Sequence, residues 1–356
     1  MPTISVEQTV LRALMAKAGH EHDVPTLEER LPLLGTDIDR CDEEALDIEI
    51  FPDRPDLLSA ETLARAMRAF LHDEAVSPQL EVEPASTTMT VDDELSDVRP
   101  VIICALVHGV NLGEGEQAKD AAIRRLMDHQ EKLHFAIGRG RYRASIGVHD
   151  FDCLNAPFRA VCMGRDASFV PLGSDEPMTI KAILGEHPKG VEYAHLLEGM
   201  ERVPVLLDAD DNVLSFPPII NGAHTTVTTS TTTMFVDVTG WDLAACEAAL
   251  HLVCLQLEAM GGTVEQVNVI GGPGHGHHPA GAPVQHHLPK DLIQRLLGRS
   301  FTRDEATLAF RRMGGEVREE TDDAFVVSMP RWRLDLLHNV DLIEDLAIGH
   351  GYDDLG

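Results

Sequence analysis

Residues Val213 to Asp242 read VLSFPPIINGAHTTVTTSTTTMFVDVTGWD. An apolar, strand-like start runs into Pro217 and Pro218. Proline fixes φ, removes a backbone donor and pushes the residue before it to extended geometry, so Phe216-Pro217-Pro218 predicts a rigid extended turn and not a helix. Asn221-Gly222 is a hairpin signal. The run Thr225 to Thr233 is dominated by threonine. Its β-branched side chains favour strand, and its hydroxyls line a surface with donors and acceptors. Met234 to Thr239 then alternates, which puts Phe235, Asp237 and Thr239 on one face of a strand. An extended wall, a tight turn and a hydroxyl-lined strand predict a small polar pocket. A hairpin with a solvated threonine face accounts for the same residues without one.

Working outward, Gly138-Arg139-Gly140-Arg141-Tyr142-Arg143 is the one concentrated basic segment, and it continues into Ala144-Ser145-Ile146-Gly147-Val148-His149-Asp150. Guanidinium and aromatic groups among glycines suit RNA phosphates or a stacked base, while a loop paired with local acids explains the same composition. Towards the C-terminus, Asp341, Glu344 and Asp345 are three and four residues apart on one helix face, with Asp335 just upstream. Clustered carboxylates repel unless a cation intervenes. Hard oxygen ligands suit Mg²⁺; a solvated acidic face answered by Arg331 and Arg333 is the alternative. Five histidines between His275 and His287 suit either a metal tract or a glycine-rich linker, and the glycine spacing there matches no dinucleotide fingerprint. No Ser-His-Asp or Cys-His constellation is evident, and His149, His187 and His224 read as structural.

FPPIING followed by FVDVTGWD resembles the editing domain of the β subunit of phenylalanyl-tRNA synthetases in their archaeal and eukaryotic-like form, where mischarged tRNA is hydrolysed. Pro52-Asp53-Arg54-Pro55-Asp56-Leu57-Leu58-Ser59 is similar to that family's P-N-R-P-D-L-L-S, with Asp53 in the Asn position. Residues 139–150 resemble its GR-x-R…IGVHDLD segment, and Phe169 to Leu172, His187 to Ala194 and Pro330 to Asp345 also look like family segments. The resemblance covers nearly all 356 residues, without the last third of such a subunit, which mimics a synthetase catalytic core. It implies an α+β multidomain chain with an N-terminal α/β module, a central mixed α/β editing-type domain and a C-terminal winged-helix-like domain.

The expected bounds are 1–85, 98–275 and 288–356. The acidic stretch from Val82 to Asp97 and the Gly271 to His278 segment read as linkers. Expected helices are Gln8 to Lys17, Leu27 to Leu34, Ala60 to Leu71 with Ser59 as N-cap, Ala118 to Leu133, an amphipathic Leu243 to Met260, Pro289 to Leu297, Arg303 to Met313 after the N-cap Thr302, and Asp341 to Gly349. Expected strands include Ala45 to Phe51, Val101 to Val110, Val264 to Ile270 and Ala324 to Met329. The third unit thus reads helix, helix, strand, helix.

The resemblance places an editing pocket on the wall from Leu214 to Ile220, at Leu214, Ser215 and Pro218, with Asn221, Asp237 and Thr239 as polar contacts. Their place in the basic segment makes Arg139, Arg141 and Arg143 the candidate RNA contacts, and the resemblance implies Mg²⁺ at Asp335, Asp341, Glu344 and Asp345. Partners would be the synthetase α subunit, which carries the ATP-dependent activation, and tRNA(Phe). A free-standing hydrolase acting on mischarged tRNA, or a binding module without chemistry, are the other functions compatible with these motifs.

Composition sets limits. A chain of 356 residues with 44% hydrophobic content suggests two or three globular domains. The start MPTISVEQTVLRALMAKAG lacks the basic-then-apolar order of a signal peptide, and the apolar run Val101 to Val110 is too short to span a bilayer. The six cysteines form no CxxC pair, as expected of buried thiols in a reducing cytoplasm. The net charge of −30 argues against the chain gripping RNA tightly by itself. A salt-accumulating host, or a basic footprint on the partner, would account for it; neither DNA nor membrane is an expected partner.

Overall fold

The computed structural model describes residues 2–355. They form two compact units: the first 80 residues together with those from Ala282 onward, and Glu81–Gly281.

In the first unit, strand Ala45–Ile50 lies between Thr3–Glu7 and Thr36–Cys41, antiparallel to both. The helix Ala60–His72 starts where expected, because Ser59 Oγ accepts from the Thr62 amide at 3.1 Å. Leu63, Met67 and Phe70 bury its inner face. Thr62 is buried as well, its hydroxyl 2.9 Å from Ser59 Oγ, although its position in the helical period points it outward. The proline-bounded loop before this helix folds on a buried fork: Arg54 Nε and Nη2 donate to the two Asp56 carboxylate oxygens, each at 2.8 Å.

The C-terminal part of the unit carries helices Lys290–Leu297, Arg303–Arg312 and Asn339–His350 around a three-stranded sheet, ordered Val284–Pro289, Ala324–Met329, Glu316–Glu320. Phe310, Phe325 and Leu346 centre its core. The two flanking strands are additions to the expected helix, helix, strand, helix. They are edge strands wetted on both faces, with Leu288 and Val317 their only fully buried members, so no apolar alternation marks them.

Glu81–Gly281 is built on a mixed sheet in which, among the described residues, ten strands join. From one edge they run Ile220–Asn221, Val213–Phe216, Arg202–Leu207, Phe158–Gly164, Glu83–Val91, Thr263–Ile270, Val101–His108, Met234–Gly240 and Ala144–Asp150, with Gly276–His278 added against Thr263–Ile270. Glu83–Val91 is parallel to both neighbours; the other pairs are antiparallel. Both presumed linkers are therefore part of this sheet, the first as Glu83–Val91 and the second as Gly276–His278. Their polar residues occupy half-exposed faces, which hides the strand period.

The helix Leu243–Ala259 packs on Val101–His108 and Met234–Gly240, with helix Glu116–Ala136 beside it. It is buried nearly all round and not amphipathic. His251 and Gln256 are enclosed with its apolar residues, and His129 Nδ1 of the neighbouring helix lies 2.8 Å from Gln256 Oε1.

Candidate active site

Along Val213–Phe216, Leu214 packs into one apolar core and Val213 and Phe216 into another, while Ser215 lines a cavity. Leu214 is thus a core residue and not part of the pocket wall. After Phe216 the chain reverses through a cis Pro217-Pro218 turn, closed by the Ile219 amide donating to the Phe216 carbonyl at 2.8 Å. Ile220–Asn221 then pairs back with Ser215 and Phe216. The hairpin turn is the proline pair, and Asn221-Gly222 leaves its second strand.

The threonine run is not a strand. A short 3₁₀ turn, Ala223–Thr225, precedes an irregular loop up to Thr233. Its hydroxyls bond to nearby backbone and to one another in place of a ladder. Thr225 donates to the Gly222 carbonyl at 3.0 Å, Thr226 to the Ala223 carbonyl at 2.6 Å, and the Thr228 amide donates to Thr231 Oγ1 at 2.9 Å. Thr231 Oγ1 ties the loop to the Asp150 carboxylate at 2.6 Å.

Turn, short strand and loop make one wall of a cavity of about 410 Å³; helix Glu116–Ala136 and strand Ala144–Asp150 make the other. Ile123, Met127, Ile146, Pro217, Pro218 and Ile219 supply an apolar belt. Gln130, Glu131, Ser145, Ser215, Asn221 and Thr225 supply the polar lining, and His187 and Lys189 contribute positive or potentially positive groups. A mostly apolar cavity with a few convergent polar groups is the usual form of a small-molecule site. Within the wall, Ser215 Oγ lies 3.5 Å from Asn221 Oδ1, and Asn221 Nδ2 donates to the Val148 carbonyl at 3.4 Å.

Arg141 is a support of this wall and not a surface cation for RNA. It is 7% exposed. Its Nη1 donates to the Pro218 and Ile219 carbonyls at 3.1 and 3.0 Å, its Nη2 to Glu131 Oε1 at 2.7 Å, and its guanidinium stacks 4.2 Å from the Tyr193 ring centre. Burial would raise the Glu131 carboxyl, but the hydrogen bond from His134 and the Arg141 charge outweigh it and hold the carboxyl down at about 2. Burial pushes the His134 imidazole the other way, below its ordinary value. Its Nε2 accepts from the Ile146 amide at 2.8 Å, which leaves Nδ1 to face Glu131 at 3.4 Å. Arg143 is half-buried and paired with Asp242, the N-cap of Leu243–Ala259. Arg139 is the exposed member of the three.

Asp237 and Thr239 share a face as expected, but neither lines the cavity. Asp237 is 1% exposed, and its Oδ1 sits 2.8 Å from His149 Nε2. His149 Nδ1 is 2.8 Å from Thr225 Oγ1. Thr239 is taken by the buried Arg99, whose Nε donates to Thr239 Oγ1 and whose Nη2 donates to the Thr239 carbonyl, both at 2.7 Å. Arg99 Nη2 also donates to the Arg141 carbonyl at 3.0 Å. Sequence reasoning read His149 as structural and did not single out Thr225, Glu131 or the supporting role of Arg141. The one available signal is alternation, which puts Ser145, Gly147 and His149 in phase on one strand face.

The acidic set in the other unit does not fit a magnesium ion. Arg333 Nε donates to Asp335 Oδ1 and its Nη2 to Asp345 Oδ1, each at 2.8 Å, and both Arg333 and Asp345 are buried. Asp341 Oδ2 accepts the amides of Leu337 and His338 at 2.8 and 2.6 Å, which caps helix Asn339–His350. Glu344 is exposed. Arg331 faces elsewhere, donating to the Ala282 carbonyl at 2.7 Å. A guanidinium neutralises two of the four carboxylates and a helix end engages a third, so the four do not converge. Among the described residues no group of three or more His, Cys, Asp or Glu side chains is arranged to hold a metal ion, the His275–His287 tract included.

Comparison with known proteins places this geometry in context. Residues 286–352 match the family model described as tRNA synthetase B5 domain. The chain is 43% identical over 355 residues to the phenylalanine–tRNA ligase β subunit of Methanococcoides burtonii, across 99% of this chain and 64% of that relative. It is 40% identical to the corresponding subunit of Methanosarcina barkeri, across 100% of this chain and 63% of the relative. The chain thus spans a little under two thirds of the length of the curated relatives it matches. Its fold is similar to the crystal structure of an N-terminal fragment of the phenylalanyl-tRNA synthetase β subunit from Pyrococcus horikoshii. The TM-score is 0.89 at 32% identity, covering 99% of this chain and 100% of the fragment.

Proposed function

The chain belongs to the family of phenylalanine–tRNA ligase β subunits, and on that premise we propose that it serves phenylalanyl-tRNA synthesis and hydrolyses mischarged tyrosyl-tRNA(Phe) in the cavity beside Asn221. The partners in this reading are an α subunit, which carries ATP-dependent activation, and tRNA(Phe), with the work done in the cytoplasm. The C-terminal β-α-α-β-β-α order, with its strand order of first, third, second, is read as winged-helix-like.

The observation that carries the reading is the cavity itself. A hydrophobic pocket that selects phenylalanine rejects the extra hydroxyl of tyrosine by only roughly 10²-fold, so discrimination needs a second site that favours the hydroxyl. An apolar belt in a cavity of about 410 Å³, next to Gln130, Glu131, Ser145 and Ser215, combines ring burial with hydroxyl recognition. Asn221 and the neighbouring backbone can hold a water against the ester carbonyl, and positioning of this kind can supply several kcal/mol of the barrier. Lys189 beside the cavity and the exposed Arg139 offer charge to the RNA 3′ end.

The test is hydrolysis of Tyr-tRNA(Phe) by the purified chain, against Phe-tRNA(Phe), with and without an α subunit. Selective tyrosine release by the chain alone is the expected result. Release only with α makes the site a dependent one, and no release in either case leaves a binding module. For magnesium the proposal is narrower: an ion at Asp335, Asp341, Glu344 and Asp345 would have to displace Arg333. Titration calorimetry with MgCl₂ on wild type and Asp335→Asn reports whether it does.

A further inference from the structure

Asp237 stands behind the cavity wall, yet a continuous buried chain of hydrogen bonds leads from it to that wall. On the sheet, Asp237 is registered opposite Gly147, and His149 sits two residues along the same strand. A Cβ at position 147 would overlap Asp237 Oδ1 and lie 2.8 Å from His149 Nε2, so the missing side chain is what lets the carboxylate cross to the imidazole. A carboxylate only accepts, so Nε2 donates to Asp237; the single Thr225 proton goes to the Gly222 carbonyl, so Thr225 Oγ1 accepts from Nδ1. Thr225 Oγ1 also lies 3.0 Å from the Gly222 carbonyl, where the chain leaves Asn221. Gly222 and Thr225 both line the cavity. Asp237 thus fixes the ring, the ring fixes Thr225, and Thr225 fixes the segment that carries Asn221. An apolar pair of similar volume would fill the same space without the desolvation cost of a buried carboxylate and imidazole.

We propose that His149 and Thr225 are positioning residues of the hydrolytic site, transmitting Asp237 to the Asn221–Thr225 wall against which an aminoacyl ester is held. This rests on reading the cavity as a hydrolytic site. It predicts that the link acts on turnover and not on ground-state binding, because the wall is present either way and only its exact placement changes. A displacement of about 1 Å in such a site costs roughly 100-fold in rate.

The experiment uses the full chain with Thr225→Val, which keeps shape and removes the hydroxyl, and Thr225→Ser, which restores it. His149→Gln retains a donor for Asp237 but gives up the ring nitrogen facing Thr225. With Tyr-tRNA(Phe), Thr225→Val is expected to lower kcat roughly 10- to 100-fold with KM within about 2-fold, and Thr225→Ser to stay within about 3-fold of wild type. Hydrogen exchange over residues 220–227 is expected to rise in Thr225→Val and His149→Gln, with the rest of the sheet still protected. Wild-type kcat in Thr225→Val, or unchanged exchange in that segment, overturns the inference. So does a parallel loss of kcat and thermal midpoint that Thr225→Ser fails to rescue, which would mark a purely structural bond. If wild type itself releases no tyrosine, the hydrolytic reading falls, and exchange still reports whether the link holds the wall.

Discussion

At Gly147 a single hydrogen atom in place of a side chain leaves room for the Asp237 carboxylate. Gly147→Ala is expected to cost about 1–3 kcal/mol, because the strand is hydrogen-bonded to Met234–Gly240 and cannot move aside. Urea unfolding of the purified variant measures this, and a variant as stable as wild type would mean the carboxylate has another place to go. Arg141 shows the same dependence on surroundings. In sequence it is one of three arginines among glycines, and only the folded chain shows that its fork holds two wall carbonyls and Glu131 while Arg139 stays in water. Residue type and spacing are identical for a phosphate contact and for a buried fork, so the sequence carries no sign of the choice. Ser215 and Leu214, by contrast, are separable by alternation alone, and reading both as wall residues overlooked it.

Among the elements, those with a strong cap or period were the legible ones. Thr302 and Glu305 form the reciprocal capping box of helix Arg303–Arg312, with Thr302 N donating to Glu305 Oε2 at 2.8 Å and Glu305 N to Thr302 Oγ1 at 3.3 Å. Thr302→Ala is expected to destabilise the chain by about 1 kcal/mol, read as a lower denaturation midpoint with an unchanged slope. Retention of the wild-type midpoint would show that Glu305 and the Arg299 pair hold the helix end without the threonine. Of the strands that escaped notice, Val284–Pro289 and Glu316–Glu320 are edge strands with polar faces, while Glu83–Val91 lies inside its sheet with polar residues on its half-exposed face. The threonine run went the other way: β propensity favoured strand, and hydroxyl-to-backbone bonds within the loop won.

Over the whole molecule, stability should fall with acid in two stages. Burial lowers the imidazoles of His134 and His278, so the unfolded chain takes up those protons first, and stability present above about 6.5 declines below it. Glu131 and Glu74 titrate at about 2 in the folded protein against 4.5 for an ordinary glutamate. Hydrogen bonds from Arg68 and His20, with the Arg68 charge, lower Glu74 against the opposing effect of burial. A carboxyl held down by folding contributes stability above about 4.5 that is lost as pH falls towards 2. Urea midpoints at pH 7.5, 5.5 and 3.5 are expected to decrease in that order. A midpoint as high at pH 3.5 as at 5.5 would mean these ion pairs add nothing to the fold.

The linear chain of amino acids was enough for most helices, for the proline turn, for the strand that carries Asp237 and for the family resemblance, because period, caps and motifs are local properties. It could not say which charges would meet. Asp237 and His149 are 88 positions apart, His149 and Thr225 76, and Arg141 and the Pro218 carbonyl 77. Each pairing depends on strand register and on what a neighbouring glycine leaves open. The same holds for the acidic set near the C-terminus, where spacing left a metal and an arginine as alternatives and Arg333 reaches Asp345 across a loop and helix. Local signals set the elements, and desolvation decided which polar groups had to find one another when those elements packed.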